Sequence, residues 1–207
     1  MHYLHSRNLL SQNQYGFTPQ TSTIDAVMDL KDYIQRSMEE GQYAALISLD
    51  VQGAFDATWW PQILYSLKTL KCPKNLYNLC GNYFSRRSAA LILNSRKEQR
   101  TVSKGSASGP GFWNIQFNSI LQLEFKKDTK IIAYADDLLK LTKGKTQEEV
   151  ENYANIELSK ITRWARENKM KFNEQKTKMM ILTCRRHKNK REYKIYLNNK
   201  KCDKKKP

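Results

Sequence analysis

The chain has 207 residues, room for one domain or for one domain and a tail. Its hydrophobic content of 40% is enough for a core, and 36 Lys and Arg against 20 Asp and Glu leave a net charge of +16, which favours a polyanionic partner such as nucleic acid. No apolar run is long enough to span a bilayer and Met1-His2-Tyr3-Leu4-His5-Ser6-Arg7 has no apolar signal core, so the expectation is an intracellular chain with no membrane partner.

Residues 1–20 read as irregular, with Gly16 and Pro19 as breakers. Thr21, Ser22 and Thr23 then offer a helix cap with Asp25 in the first turn. Ile24, Val27, Met28, Tyr33, Ile34 and Met38 follow at largely helical spacing, and Gly41 ends that segment. Ala44-Ala45-Leu46-Ile47-Ser48-Leu49 is an apolar run of strand length. Trp59-Trp60-Pro61 opens a second helix, and 75–84 is a third after the break at Cys72-Pro73. Residues 88–93 and 99–102 look like paired short strands, and a Gly/Ser cluster at 104–111 precedes an apolar helix at 112–125. A hairpin spans 130–141. The longest helical pattern is 147–170, where Thr146 with Glu149 suggests a capping box. Residues 178–183 form a strand and 193–197 a further short one. Strands alternate with helices but a hairpin interrupts them. The class expected is α+β, with helices on one face of a mainly antiparallel sheet. Cys72, Cys80, Cys184 and Cys202 make no CxxC pair and lie far from His2, His5 and His187, so zinc spacing is absent and reduced, structural thiols are expected.

The chemistry concentrates in acids. Tyr134-Ala135-Asp136-Asp137 lies between the apolar runs Lys130-Ile131-Ile132-Ala133 and Leu138-Leu139-Lys140-Leu141, which puts two adjacent carboxylates at a hairpin tip. Adjacent Asp residues repel and are poor strand formers, whereas a hard divalent cation wants carboxylate oxygens. In isolation the pair reads first as a solvated turn. The strand ending at Asp50 adds a third acid, followed by Val51-Gln52-Gly53-Ala54-Phe55-Asp56. If both elements share one sheet the carboxylates converge, as a two-metal phosphoryl-transfer site requires, with ions roughly 3.5–4 Å apart.

These segments resemble the reverse transcriptases of non-LTR (LINE-type) retrotransposons. Gln14-Tyr15-Gly16-Phe17 with Ser22-Thr23-Ile24-Asp25-Ala26 resembles the segment before their palm. The run 49–56 with Trp59-Trp60 resembles motif A, the Tyr134 tetrapeptide motif C, and Lys171-Phe172-Asn173-Glu174-Gln175-Lys176-Thr177 motif D. An intron-encoded maturase-type palm fits Trp59-Trp60 and residues 14–26 less well. The resemblance implies a polymerase palm whose activity is RNA-directed DNA synthesis on an RNA template and DNA primer with deoxynucleotide triphosphates. It implies two Mg²⁺ ions, with Mn²⁺ as a substitute, held by Asp50, Asp136, Asp137 and the Val51 carbonyl. Phe55 would then be a steric gate against the 2′-OH, the alternative being a core residue. Ala54, Tyr134 and Gly109 would contact substrate, Tyr134 holding the hairpin near the primer end. Lys176 would be the general acid for pyrophosphate, the alternative being a phosphate contact or a solvated lysine.

The chain also departs from that pattern. Motif B normally reads Gly-Cys-Pro-Gln-Gly-Ser and onward, but here Lys104-Gly105 runs straight into Ser106-Ala107-Ser108-Gly109-Pro110. Such a gap is expected to impair nucleotide positioning. The expected organisation is a pre-palm segment at 1–43, a palm at 44–184, and a basic connector with the start of a thumb-proximal hairpin at 185–207, fingers and thumb being largely missing. Residues 185–191 could serve as a backbone contact, a nuclear-localisation-like cluster or a solvated connector, and a nuclear location is expected for an active element. A catalytically dead nucleic-acid-binding remnant is the alternative function.

Overall fold

In the computed structural model the described residues are 1–85, 87–93, 96–102, 109–126, 129–184 and 192–204. Residues 104–108 of the Gly/Ser cluster, the basic cluster 185–191 and residues 205–207 lie outside them. In chain order the elements are α1 (His2–Ser6), α2 (Thr23–Glu39), β1 (Tyr43–Leu49), α3 (Trp60–Thr69) and α4 (Lys74–Phe84). Next come β2 (Ser88–Leu93), β3 (Arg96–Thr101), α5 (Gly109–Leu121), β4 (Thr129–Tyr134) and β5 (Asp137–Gly144). The last are α6 (Gln147–Glu167), β6 (Lys178–Leu182), β7 (Tyr196–Leu197), β8 (Lys200–Lys201) and β9 (Asp203–Lys204). The class is the α+β expected. The differences are local: α1 appears in a segment read as irregular, α5 starts and ends earlier than its apolar run, and the last hairpin strands have two residues each.

Two compact units result, Met1–Leu10 with Gly53–Ser119, and Ser11–Gln52 with Ile120–Pro207. In the first, helical spacing lines up Trp60, Ile63 and Leu67 on one face of α3, where they pack with Leu4, Phe84 and Ile115. Trp60 stacks on Phe84 with ring centroids 5.4 Å apart.

The second unit is built on a five-stranded sheet of order β4-β5-β1-β6-β9, antiparallel except for the β6–β9 pair. The register sets Ile47 opposite both Lys140 and Met179, and Ala45 opposite both Thr142 and Ile181. Directly paired residues share a face, so these side chains form one layer. That layer is covered by α6, whose Val150, Ala154, Leu158, Ile161, Trp164 and Ala165 are buried. Neighbouring positions point the other way. Lys130 pairs with Asp29 of α2, and Lys143 lies 2.8 Å from Glu40 and over the Tyr33 ring. Helix α2 therefore attends the opposite face, where the sequence reading put the helices on one side. Both helices start at the capping residues their sequences suggest, but only one closes its box. Ser22 and Asp25 form a complete capping box. Thr146 accepts from Glu149 N at 3.1 Å, but the Glu149 carboxylate accepts from Lys145 N at 2.8 Å, one residue short of closing the expected box.

Candidate active site

Asp50 follows the last residue of β1, and Leu49 of that strand is paired with Leu138 of β5. On the other side of β5, Tyr134 is paired with Asp137 across a turn made by Ala135 and Asp136. The central strand pair thus brings the end of one strand and the tip of one hairpin to the same edge of the sheet. Asp137 registers the result. Burial, then the neighbouring charges of Asp136 and Asp50, push its carboxyl above the usual range. Among the described residues no group of three or more His, Cys, Asp or Glu side chains is arranged to hold a metal ion.

A loop after α6 forms the other wall. Phe172 bridges Val51, with Gln52 N donating to Lys171 O at 2.9 Å and Asn173 N donating to Asp50 O at 2.7 Å. These bonds flank the bridged pair, so Val51 spends neither its N–H nor its carbonyl on Phe172. The loop then tightens on Asn173, whose side-chain oxygen accepts from Gln175 N at 3.1 Å and Lys176 N at 3.3 Å. That turn carries Lys176 to the acids, its Nζ 3.7 Å from Asp50 Oδ1. The pair is largely exposed, so it positions the lysine more than it stabilises the fold.

The hairpin tip is held by a segment whose role was not evident in the sequence. Ala135 has φ 57°, a left-handed conformation unusual for a residue with a side chain. The buried Gln14 fixes it from both sides: its Oε1 accepts from Ala135 N at 3.1 Å and its Nε2 donates to Ala135 O at 3.2 Å. The same Oε1 accepts from Gly16 N at 2.9 Å. Tyr15 N donates to Ala133 O and Ala133 N to Asn13 O, each at 2.8 Å. Gly16 is needed for this approach, because a methyl group there would lie 2.1 Å from Ala135 N. The visible signal was the Gln14-Tyr15-Gly16 tripeptide, but its partner lies 121 positions away.

The structure therefore gathers Asp50, Val51, Tyr134, Asp136, Asp137 and Lys176 in the second unit, with Tyr134 exposed. Ala54, Phe55 and Gly109 belong to the first unit. There Ala54 is buried, and the Phe55 ring is half-buried with its centroid 5.6 Å from that of Trp113. Gly109 opens α5 at φ 47°.

Comparison with known proteins agrees with this architecture. The family model described as reverse transcriptase (RNA-dependent DNA polymerase) matches residues 1–205. The RNA-directed DNA polymerase from mobile element jockey of Drosophila melanogaster is 26% identical over 79% of the chain, which spans 19% of that protein. The retrovirus-related Pol polyprotein from type-1 retrotransposable element R1 of Bradysia coprophila is 30% identical over 62% of the chain, which spans 13% of it. Among solved structures, apo telomerase from Candida tropicalis truncated from its C-terminal domain superposes with a TM-score of 0.65, at 12% identity, over 87% of this chain and 38% of that one. The telomerase likeness speaks for the fold alone, and the jockey and R1 matches agree with the resemblance read from the motifs. The chain belongs to the reverse transcriptase (RNA-dependent DNA polymerase) family.

Proposed function

We propose that residues 44–184 act as the palm of an RNA-directed DNA polymerase of a non-LTR retrotransposon, which joins a deoxynucleotide to a primer 3′-hydroxyl on an RNA template. One observation carries the reading: the pairing of Leu49 with Leu138 delivers Asp50 to the electrostatic neighbourhood of Asp136 and Asp137. A buried carboxyl at Asp137, raised further by the charges of Asp136 and Asp50, belongs to a set of acids that a hard divalent cation would relieve. Asp50, Asp136, Asp137 and the Val51 carbonyl would hold two Mg²⁺ ions, or Mn²⁺ in their place. When bound, such ions lower the pKa of the attacking hydroxyl and neutralise the departing pyrophosphate.

The remaining roles fall to the chain itself. Lys176, exposed and steered by the Asn173 turn, would donate a proton to, or grip, the leaving pyrophosphate. Tyr134 would steady the primer end. Phe55 would exclude a 2′-hydroxyl by ring volume, with Ala54 and Gly109 lining the path of the nucleotide. The Gln14 clamp would keep the turn from drifting, since displacements of an ångström at a reaction centre cost on the order of 100-fold in rate.

Asp136→Asn in an active full-length parent enzyme tests the assignment. Primer extension on RNA should vanish while template binding and the folded state persist; extension at the parent rate would refute the roles given to the acids. A second reading, a nucleic-acid-binding remnant without turnover, draws on the carboxylate arrangement, in which no ready group of three ligands is found among the described residues. Salt-sensitive RNA binding by the 207-residue chain without Mg²⁺-dependent extension favours that reading; extension favours the enzyme.

A further inference from the structure

Helix α6 has a second face that neither the core nor the acidic edge uses. Asn155, Ser159, Arg163 and Arg166 recur at helical spacing along it, away from the buried stripe that covers the sheet. The β7–β8 hairpin stands opposite. Asn155 ties it down, its Nδ2 donating to Lys194 O at 2.8 Å and its Oδ1 accepting from Tyr196 N at 2.9 Å. Asn198 and Asn199 turn the hairpin with φ values of 49° and 66°, the left-handed pair that a two-residue turn demands. Between helix and hairpin lies an open groove of about 670 Å³.

The lining specifies the occupant. Both arginines are exposed, and among the described residues neither has an ion-pair partner. No carboxylate lines the groove among those residues. An exposed Tyr196 forms part of one wall, and amides and hydroxyls fill most of the rest. Two guanidinium forks suit phosphates, and an exposed ring suits an unpaired base. A duplex would leave the tyrosine unused. The amide and hydroxyl lining gives partners to a 2′-hydroxyl, which DNA lacks. We propose that the α6/β7–β8 groove is a docking site for single-stranded RNA, distinct from the acidic edge, in which Arg163 and Arg166 hold phosphates and Tyr196 stacks on a base.

This site needs neither metal nor primer, so it is tested separately from the polymerase reading. The probe is a fluorescent oligouridine of about a dozen nucleotides, titrated by anisotropy with the 207-residue chain in EDTA. Arg163→Gln with Arg166→Gln should weaken binding roughly tenfold or more, whereas Lys68→Gln with Lys74→Gln, the same loss of charge on exposed residues of the other unit, should change it about twofold or less. Tyr196→Ala, which alters no charge, should cost about tenfold. In the unaltered chain, a 4-thiouridine probe should crosslink to Tyr196, which makes the result independent of how the variants fold. Equal losses in the arginine and lysine pairs, a Tyr196→Ala variant that binds normally, crosslinks confined to other residues, or equal affinity for the matching DNA would each overturn the proposal. So would displacement of the RNA by oligoglutamate as readily as by unlabelled RNA, which would mark the groove as a site for acidic protein.

Discussion

A single methyl group at residue 16 probes how the acidic turn is held. The Cβ of Gly16→Ala would overlap Ala135 backbone that cannot step aside without breaking its bonds to Gln14. The expected loss is about 1–3 kcal/mol in denaturant unfolding, with faster amide exchange at Ala135. Unchanged exchange there would show that the tip does not rely on the clamp. Lys140 presents a different case. It is fully buried on β5 and donates to the Thr142 hydroxyl. Burial pushes its pKa down to about 7, against smaller opposing pulls from Glu157 and Cys202. The unfolded chain, with an ordinary lysine near 10.5, therefore binds a proton that the folded chain lacks between about pH 7 and that value. Stability should rise with pH across that window and bear the full penalty below it. Lys140→Met should add on the order of a few kcal/mol at pH 7 and flatten the slope, as read from urea midpoints at several pH values. A slope identical to the parent's would clear Lys140 of that role.

At the scale of elements, most of the fold could be read because it follows local periodicity. The apolar run 44–49, the hairpin 130–141 and the helical stripe from Val150 to Trp164 all fold as spaced. The strand-end position of Asp50 and the turn position of Asp136 were legible for the same reason. Their meeting was not, because it depends on which strands pair, and no local pattern states that Leu49 faces Leu138. The burial of Lys140 was hidden for a related reason: only the pairing opposite Ile47 turns it under α6. The Gln14 clamp was hidden by sequence distance, and the shortness of β7 by the role of Asn155, which takes Tyr196 N as a side-chain partner. Capping gives a measurement at this scale. Thr146→Ala should remove the bond to Glu149 N and lower stability by about 1 kcal/mol, seen as a shifted urea midpoint with an unchanged m-value. A larger loss would mean that Thr146 also serves packing.

At the scale of the whole molecule, a net charge of +16 governs the encounter with any polyanion. The logarithm of RNA affinity should fall steeply and linearly with the logarithm of salt concentration, the slope counting phosphates contacted. A flat dependence would show that the lysines and arginines do not touch the backbone. The Asn13–Tyr15 segment has a consequence of another kind. Strand β4 is the rim of the five-stranded sheet, and this segment already takes up the outward N–H and carbonyl of Ala133. The far rim, β9, is two residues long, and Lys178 pairs there with Asp203. A second molecule seeking to extend the sheet edge to edge would first have to strip a bonded segment from one side or seat itself on a short, charged stub on the other. The clamp that steadies the turn thereby also discourages amyloid-like stacking of copies.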